Sequence, residues 1–183
     1  MSRIAALETS AAAPKAQPLL TAVQKSLGMT PNLYRVAAQS PDALEGLLAL
    51  TSALGRGRLD ARTRESIALA VAQANGCDYC LSAHTVLGRG AGLSDADVQA
   101  ARDGRASEAR TALLLRFAGL LVAQRGQLPE GELDRLRQAG VTDGEVVEVV
   151  GNTVLNIFTN YLNLVAGTDI DFPVVRAGAA RAA

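Results

Sequence analysis

The sequence predicts an all-α protein. Ala, Leu, Arg, Gln and Glu, which favour helices, dominate nearly the whole chain. No stretch alternates apolar and polar residues convincingly at the two-residue period of a half-buried strand. Helix start signals, such as capping residues and proline at the first helical position, recur along the sequence. A chain of 183 residues fits one domain that buries a substantial core.

The first half of the chain contains three clear helix starts. Thr30 and Ser40 are each followed by proline, which suits the first helical position because it has no N–H to leave unpaired. Asp60 precedes a third helical pattern and has a side chain suited to capping. We therefore predict helices over residues 17–27, 31–38, 41–54 and 60–74.

The second half is divided in the same way. Gly76 can end one helix and open the next, since glycine tolerates the left-handed conformation. Ser94 and Thr142 each precede an acidic residue by three positions, which is the spacing of a capping box. We predict helices over residues 78–90, 95–102, 106–124, 130–138 and 143–166.

These helices form one predicted domain over residues 17–175. Residues 1–16 and 176–183 read as flexible tails, and the sequence shows no internal repeat. The N-terminal residues contain no sustained apolar segment of the kind found in secretory signals, so we expect a cytoplasmic protein.

The composition argues against nucleic-acid and membrane partners. Lys plus Arg and Asp plus Glu number 18 each, so no net field attracts polyanions or anionic lipids. Tryptophan is absent and aromatic residues make up 3% of the chain, which disfavours a base-stacking surface.

The chemistry of the sequence is concentrated in the stretch ANGCDYCLSAH, residues 74–84. It contains both cysteines, Cys77 and Cys80, and the only histidine, His84. In a reducing compartment a C-x-x-C pair is more often catalytic or metal-binding than a structural disulfide. The three residues lie at i, i+3 and i+7, on one helical stripe. Cys77 lies near a helix start, where free N–H groups stabilise a thiolate.

The preceding predicted helix adds Glu65. This carboxylate shares its face with the small residues Ala68 and Ala72, which permit close helix packing. If the helix packs antiparallel to residues 78–90, Glu65 meets His84 and orients its ring. The alternative is a solvated carboxylate that pairs with Arg62 on the same face.

Three classes of function fit these residues. The first is a thiol peroxidase or dithiol–disulfide oxidoreductase. The second is a Zn²⁺ site formed by the two thiolates, His84 and Glu65, although the sequence contains no second C-x-x-C pair. The third is a non-catalytic redox sensor or oligomeric scaffold, in which the disulfide reports oxidation.

The segment over residues 144–167 is long and apolar enough to suggest a membrane span. A polar stripe along one face argues for a buried helix of a soluble protein, because amides in a bilayer core would need partners. The stripe consists of Asn152, Asn156, Asn160 and Asn163. We interpret it as a structural hydrogen-bond ladder rather than a substrate contact.

Glu65, Cys77, Cys80 and His84 together resemble a known signature. Their spacing, E-x(11)-C-x-x-C-x-x-x-H, is that of alkylhydroperoxidase D (AhpD)-like proteins within the carboxymuconolactone decarboxylase superfamily. The flanks GMTPNLYRVAAQSPDALEGLLAL and TNYLNLVAGTDIDFP are similar to the peroxidase-related branch, so the resemblance covers about residues 28–173. It implies an all-α, AhpD-like fold with a helix hairpin that carries the C-x-x-C motif, assembled as trimers or hexamers.

The resemblance also implies roles. Cys80 would attack a hydroperoxide, and Cys77, at the more open helix start, would resolve the sulfenic acid and exchange with a dithiol reductant. Glu65 and His84 would form a proton relay. The reductant would be a lipoyl or thioredoxin-like protein, with no cofactor and no metal. A carboxymuconolactone decarboxylase activity remains an alternative, although those members generally lack the C-x-x-C pair.

One position departs from the best-known members of the family. Tyr79 stands where they carry a histidine between the cysteines. We include Tyr79, Asn160 and Asn163 as further candidates for substrate binding or for support of the relay.

The sequence also predicts a homo-oligomer. The helices over residues 106–124 and 143–166 carry more apolar surface than one small helical domain readily covers.

Overall fold

The fold is known from a computed structural model that describes residues 2–178. These residues form helices and connecting turns without any strand, which confirms the all-α prediction. A short 3₁₀ turn, Thr9–Ala11, precedes the α-helices. In chain order these are α1 Gln17–Leu27, α2 Asn32–Ala37, α3 Pro41–Gly55, α4 Ala61–Ala74, α5 Asp78–Gly90, α6 Asp95–Arg102, α7 Ala109–Ala123, α8 Glu132–Gln138 and α9 Asp143–Ala166.

The predicted start signals determine where several helices begin. Asp60 accepts a hydrogen bond from the N–H of Thr63 at 2.7 Å, which satisfies a free donor in the first turn of α4. Ser94 and Thr142 complete capping boxes at the starts of α6 and α9. Local chemistry therefore fixes these helix ends before any tertiary contact forms.

Helix α4 lies at the centre of the domain. Residues 66–72 are buried, and the helix packs against α5, α6, α7 and α9. Alanines at positions 68, 70 and 72 let the neighbouring helices approach closely. The chain reverses after α4, so that α5 packs back along it as an antiparallel hairpin.

The N-terminal segment differs from the loose tail expected over residues 1–16. The N–H of Arg3 donates to the carbonyl of Ala166 at 2.6 Å, and Ala12 and Ala16 are buried against α1 and α3. Small side chains let this segment pack closely without adding volume to the core. At the other end, residues up to 178 are described and Ala177 is hydrogen-bonded, whereas positions 179–183 lie outside the described residues. The domain limits, 17–175, stay a prediction.

Helix α9 carries the asparagine stripe on its buried side. Asn152 donates to the carbonyl of Glu148 at 2.8 Å, and Asn156 donates to that of Asn152 at 2.9 Å. These bonds form part of the predicted ladder. Within residues 2–178, no helix combines the length and apolarity needed to cross a bilayer.

The opposite side of α9 is apolar and exposed, whereas the large apolar residues of α7 are buried or half-buried. The surplus apolar surface expected on both helices is therefore confined to α9, because α7 packs into the core against α4 and α9. The exposed residues of this α9 face are Val147, Val150, Val154, Phe158, Tyr161, Leu164 and Val165.

Candidate active site

The α4–α5 turn positions the two cysteines. Gly76 adopts a φ of 65°, a left-handed conformation that favours glycine, and the N–H of Cys77 donates to the carbonyl of Ala72 at 2.9 Å. Cys77 is the N-cap residue of α5, and its Sγ accepts a hydrogen bond from the N–H of Cys80 at 3.2 Å. The tight turn therefore places the motif at the first turn of a new helix.

Cys77 and Cys80 are joined as a disulfide, with their Cα atoms 5.3 Å apart. Both are buried, with exposed fractions of 1% and 3%. The expectation that Cys77 lies at a more open position is wrong, because this residue belongs to the main hydrophobic core. Cys80, in contrast, lines a cavity.

A C-terminal strap, residues 172–177, packs on the same core cluster and is bonded to the first turns of α5. Its Ala177 N–H and the guanidinium of Arg176 each bond one carboxylate oxygen of Asp78 at 2.8 Å. Partial burial opposes ionisation of Asp78, yet these two contacts hold its pKa below the usual value. Other strap bonds run from Val175 N to Ser82 Oγ at 2.9 Å, from Gln73 Nε2 to Ala177 O at 2.7 Å and from Arg102 Nη2 to Arg176 O at 2.7 Å.

Glu65 and His84 meet across the α4–α5 hairpin. Oε2 of Glu65 lies 2.8 Å from Nδ1 of His84, and both side chains are about four-fifths buried. When Glu65 is ionised, it accepts a hydrogen bond from Nδ1–H of His84, and Nε2 is then the ring nitrogen that can accept a proton. Arg62, the alternative partner of Glu65, instead contacts Asp97 at 3.4 Å.

A cavity of about 400 Å³ brings Cys80, Glu65 and His84 together. Helices α3, α4, α5 and α9 supply most of its wall, which is largely apolar. Pockets of this size and composition commonly bind small organic molecules. Its apolar lining consists of Leu27, Met29, Pro31, Leu33, Leu47, Leu54, Ala68, Ala83, Val86, Leu87, Leu155 and Phe172.

Asn163 lies against the sulfur of Cys80. Its Nδ2 is 3.4 Å from Sγ of Cys80 and donates to it, while its buried Oδ1 has no partner among residues 2–178. Asn163 also lines the cavity, where a bound molecule can reach it. The sequence predicted a structural role for the asparagine stripe of α9 and did not predict this contact, because only tertiary packing brings Asn163 to Cys80.

Asn160 has a different position. Its Oδ1 accepts a hydrogen bond from Nδ2 of Asn75 at 2.9 Å, which ties α9 to the turn before Cys77. The side chain is fully buried outside the cavity. Asn160 therefore supports the turn that carries the motif.

Tyr79 lines the cavity but uses its hydroxyl to hold the fold. The oxygen accepts a hydrogen bond from the N–H of Leu33 at 3.0 Å, and the ring packs edge-on against Phe172 with centroids 5.8 Å apart. Burial, reinforced by the charge of Asp171, raises the pKa of Tyr79 well above its usual value of 10.0. Burial also raises the pKa of Tyr34, and the charge of Glu65 adds to the effect.

Arg64, which the sequence analysis did not select, also lines the cavity. Its Nη1 donates to the carbonyl of Leu59. Its position directly before Glu65 gave no signal, since adjacent helical residues ordinarily face different directions.

The possible zinc site lacks support from the geometry. Across residues 2–178, no three His, Cys, Asp or Glu side chains converge in a way that could hold a metal ion. Cys77 lies in the core and is not part of the cavity wall that contains Glu65 and His84.

The site lies in the part of the chain that matches a known family model. Residues 41–124, which include both cysteines, Glu65 and His84, match the model of the carboxymuconolactone decarboxylase family. The fold superposes with a TM-score of 0.84 on the alkylhydroperoxidase AhpD core of an uncharacterized peroxidase-related protein from Ralstonia eutropha JMP134. That match has 24% sequence identity and covers 93% of this chain and 92% of the other. The fold is AhpD-like, and the segment that carries the site resembles the carboxymuconolactone decarboxylase family.

Two further similarities concern this AhpD-like protein. An uncharacterized protein from Haemophilus influenzae is 44% identical over 63 residues, 34% of this chain and 50% of that protein, so the match spans half of that relative's length. The debrominase Bmp8, solved in complex with 2,3,4-tribromopyrrole, has a TM-score of 0.77 at 20% identity, with 92% and 91% of the two chains covered. At that identity the likeness concerns the fold alone.

Proposed function

We propose that this AhpD-like protein is a thiol-dependent peroxidase that reduces organic hydroperoxides at the expense of an external dithiol. The observation that carries the proposal is the different position of the two cysteines relative to the cavity. Cys80, and not Cys77, lines the cavity that also contains the Glu65–His84 contact. This difference supports attack on the substrate by Cys80 and resolution of the resulting sulfenic acid by Cys77.

In the proposed cycle the reduced Cys80 thiolate attacks the terminal oxygen of a hydroperoxide. The O–O bond breaks, the alkoxide takes a proton and leaves as an alcohol, and Cys80 becomes a sulfenic acid. The Cys77 thiol then attacks that sulfur, which forms the disulfide and releases water. An external dithiol reduces the disulfide, so one hydroperoxide and one dithiol give one alcohol, one water and one disulfide.

Glu65 and His84 supply the proton transfers of this cycle. With Nδ1 of His84 held by Glu65, Nε2 takes the Cys80 proton and returns it to the departing alkoxide. Glu65 orients the ring and stabilises its protonated form. Asn163 Nδ2 stabilises the Cys80 sulfur when it is anionic, and the dipole at the start of α5 adds to this effect.

The reductant that we propose is a dithiol protein of lipoyl or thioredoxin-like type. A disulfide whose two sulfurs are three residues apart at a helix start is chemically suited to exchange with such a dithiol.

Steady-state turnover tests the proposal. Purified protein is given cumene hydroperoxide, tert-butyl hydroperoxide or hydrogen peroxide with dithiothreitol, dihydrolipoamide or a thioredoxin system. We expect catalytic consumption of organic hydroperoxide that Cys80→Ser abolishes. Consumption that is unaffected by Cys80→Ser contradicts the proposal. A single stoichiometric oxidation without turnover supports the redox-sensor alternative instead.

The likeness to a debrominase bound to tribromopyrrole favours one second candidate. In a reductive debromination the Cys80 thiolate would take bromine from an electron-rich ring, the ring would gain a proton, and Cys77 would displace bromide to form the disulfide. The apolar cavity beside Cys80 is compatible with such a ring. Release of bromide from 2,3,4-tribromopyrrole in the same dithiol assay distinguishes this reaction from peroxidase activity.

A further inference from the structure

The cavity contains one cation that the proposed chemistry does not use. Arg64 lines the same cavity as Cys80 and His84 and is half-buried. Within the described part of the chain, no carboxylate lies within ion-pair distance of its guanidinium. The pKa of Asp60 is lowered chiefly by its contact with the Thr63 N–H and also by the charge of nearby Arg64, but Asp60 forms no ion pair with Arg64. A cation that lines an apolar cavity without a carboxylate in contact favours an anionic ligand.

The guanidinium is held in place by its backbone contact. Nη1 donates to the carbonyl of Leu59, a buried residue that precedes α4. The opposite edge, formed by Nε and Nη2, has no acceptor among residues 2–178. Two parallel N–H groups on one edge fit the two oxygens of a carboxylate, and this bidentate contact is stronger than a single hydrogen bond.

Arg64 and Cys80 line the same cavity from two neighbouring helices, α4 and α5. Arg64 is one helical turn before Ala68, the α4 residue that lines the cavity wall together with Cys80. One turn corresponds to about 5.4 Å along a helix, so a compact apolar body can lie between an anion at Arg64 and a reactive group near Cys80. Glu65, the carboxylate of the same cavity wall, contacts His84 and lies beyond ion-pair distance of Arg64.

We propose that the cavity selects apolar hydroperoxides that bear a carboxylate, with Arg64 as the anchor for that carboxylate. The hydroperoxide part of this inference rests on the proposed peroxidase function. The binding of a carboxylate by Arg64 rests only on the cavity and its charge.

Binding of unreactive analogues tests the anchor independently of turnover. Calorimetry compares 4-isopropylbenzoate with its methyl ester on the wild type, Arg64→Gln, Arg64→Lys and the control Arg58→Gln, which alters an exposed arginine outside the cavity. We expect the wild type and the control to bind the carboxylate at least about tenfold more tightly than the ester. Arg64→Gln should abolish that preference and leave ester binding unchanged, and Arg64→Lys should keep part of it.

Steady-state kinetics test whether Arg64 also affects the reaction of a carboxylated hydroperoxide. Cumene hydroperoxide and its 4-carboxy derivative are assayed with the same variants, and Arg64→Gln should raise KM about tenfold for the carboxylated substrate alone, with kcat preserved. Equal binding of acid and ester by the wild type, or a preference that survives Arg64→Gln, overturns the anchor. Tight binding of the benzoate without any hydroperoxide turnover overturns the peroxidase and leaves the anchor standing.

Discussion

Cys77 and Cys80 lie within one turn of helix but face different surroundings. Cys77 is the N-cap and is turned into the core, whereas Cys80 borders the cavity beside Asn163. Sequence spacing places both on one stripe, but a cap residue has non-helical backbone angles, so its side chain leaves that stripe. This difference is the basis of the separate roles that we propose for the two thiols.

The contact between Glu65 and His84 leads to a prediction about rate. Glu65→Gln and His84→Ala should each lower the rate of Cys80 oxidation by about 10²–10⁴-fold near neutral pH, because the base that takes the thiol proton is weakened or lost. Partial recovery is expected at alkaline pH, where hydroxide removes that proton. Stopped-flow measurement of hydroperoxide consumption from pH 6 to pH 10 checks this.

The matched control for these variants is Glu130→Gln, an exposed carboxylate on another part of the surface. It should keep the wild-type rate at every pH. If Glu65→Gln and His84→Ala behave as this control does, the pair has no part in the proton transfer.

Tyr79 gives a prediction about stability. Tyr79→Phe leaves the N–H of Leu33 without its acceptor and should lower the free energy of unfolding by about 1–3 kcal/mol, with little change in kcat. Burial raises the pKa of Tyr79, so the fold favours the neutral hydroxyl. The stabilisation is therefore fully present below about pH 10, the pKa of an unfolded tyrosine, and is lost as the pH rises further.

Urea unfolding at pH 8 and above pH 10 checks both statements, since the difference between wild type and Tyr79→Phe should shrink at the higher pH. A variant of unchanged stability that loses peroxidase activity would instead place the hydroxyl in the reaction.

At the scale of secondary structure, the predictable features were those with local causes. The caps Asp60, Ser94 and Thr142 act within one helical turn, so their helices could be predicted to within a residue. The contact of Glu65 with His84 was also predictable, because a short turn forces α4 and α5 to be antiparallel.

Features with distant causes could not be predicted. Arg3 bonds Ala166 and Ala177 bonds Asp78, and each contact joins residues that are far apart in sequence. Small and charged residues in these terminal segments resemble tail composition, so only the folded domain shows where they pack. The burial of Cys77 was missed for the same reason, since this residue joins a core built from several helices.

The strap leads to a prediction about reduction of the disulfide. Removal of residues 173–183 should expose the start of α5 and accelerate reduction by a dithiol protein, because Val175, Arg176 and Ala177 no longer pack on or bond this region. The control truncation removes residues 179–183. The rate is measured by alkylation of the released thiols and mass spectrometry, and equal rates for both truncations would show that the strap does not limit access.

At the scale of the whole molecule, the apolar face of α9 is exposed to solvent in the single chain. Its residues recur along one side of a long helix, and contiguous exposed apolar patches commonly mark interfaces. We predict a homo-oligomer, a trimer or a dimer of trimers, that uses this face. Light scattering at micromolar concentration should give a mass above the monomer for the wild type.

Val154→Glu should reduce that mass, because it places a charge in the centre of the α9 face. Leu133→Glu, on an exposed position of α8, is the control and should keep the wild-type mass. A monomeric wild-type protein removes this prediction.

The central claim, that Cys80 is the attacking thiol and Cys77 resolves it, is tested most directly by trapping the oxidised sulfur. Reduced Cys77→Ser is mixed with one equivalent of cumene hydroperoxide and a sulfenic-acid reagent, and the labelled residue is located by mass spectrometry. The account predicts the label on Cys80, one equivalent of alcohol and no further turnover, because the resolving thiol is absent. Cys80→Ser should consume no hydroperoxide. A label on Cys77 of the Cys80→Ser variant, with continued consumption, would reverse the two roles, and consumption independent of both cysteines would contradict the account.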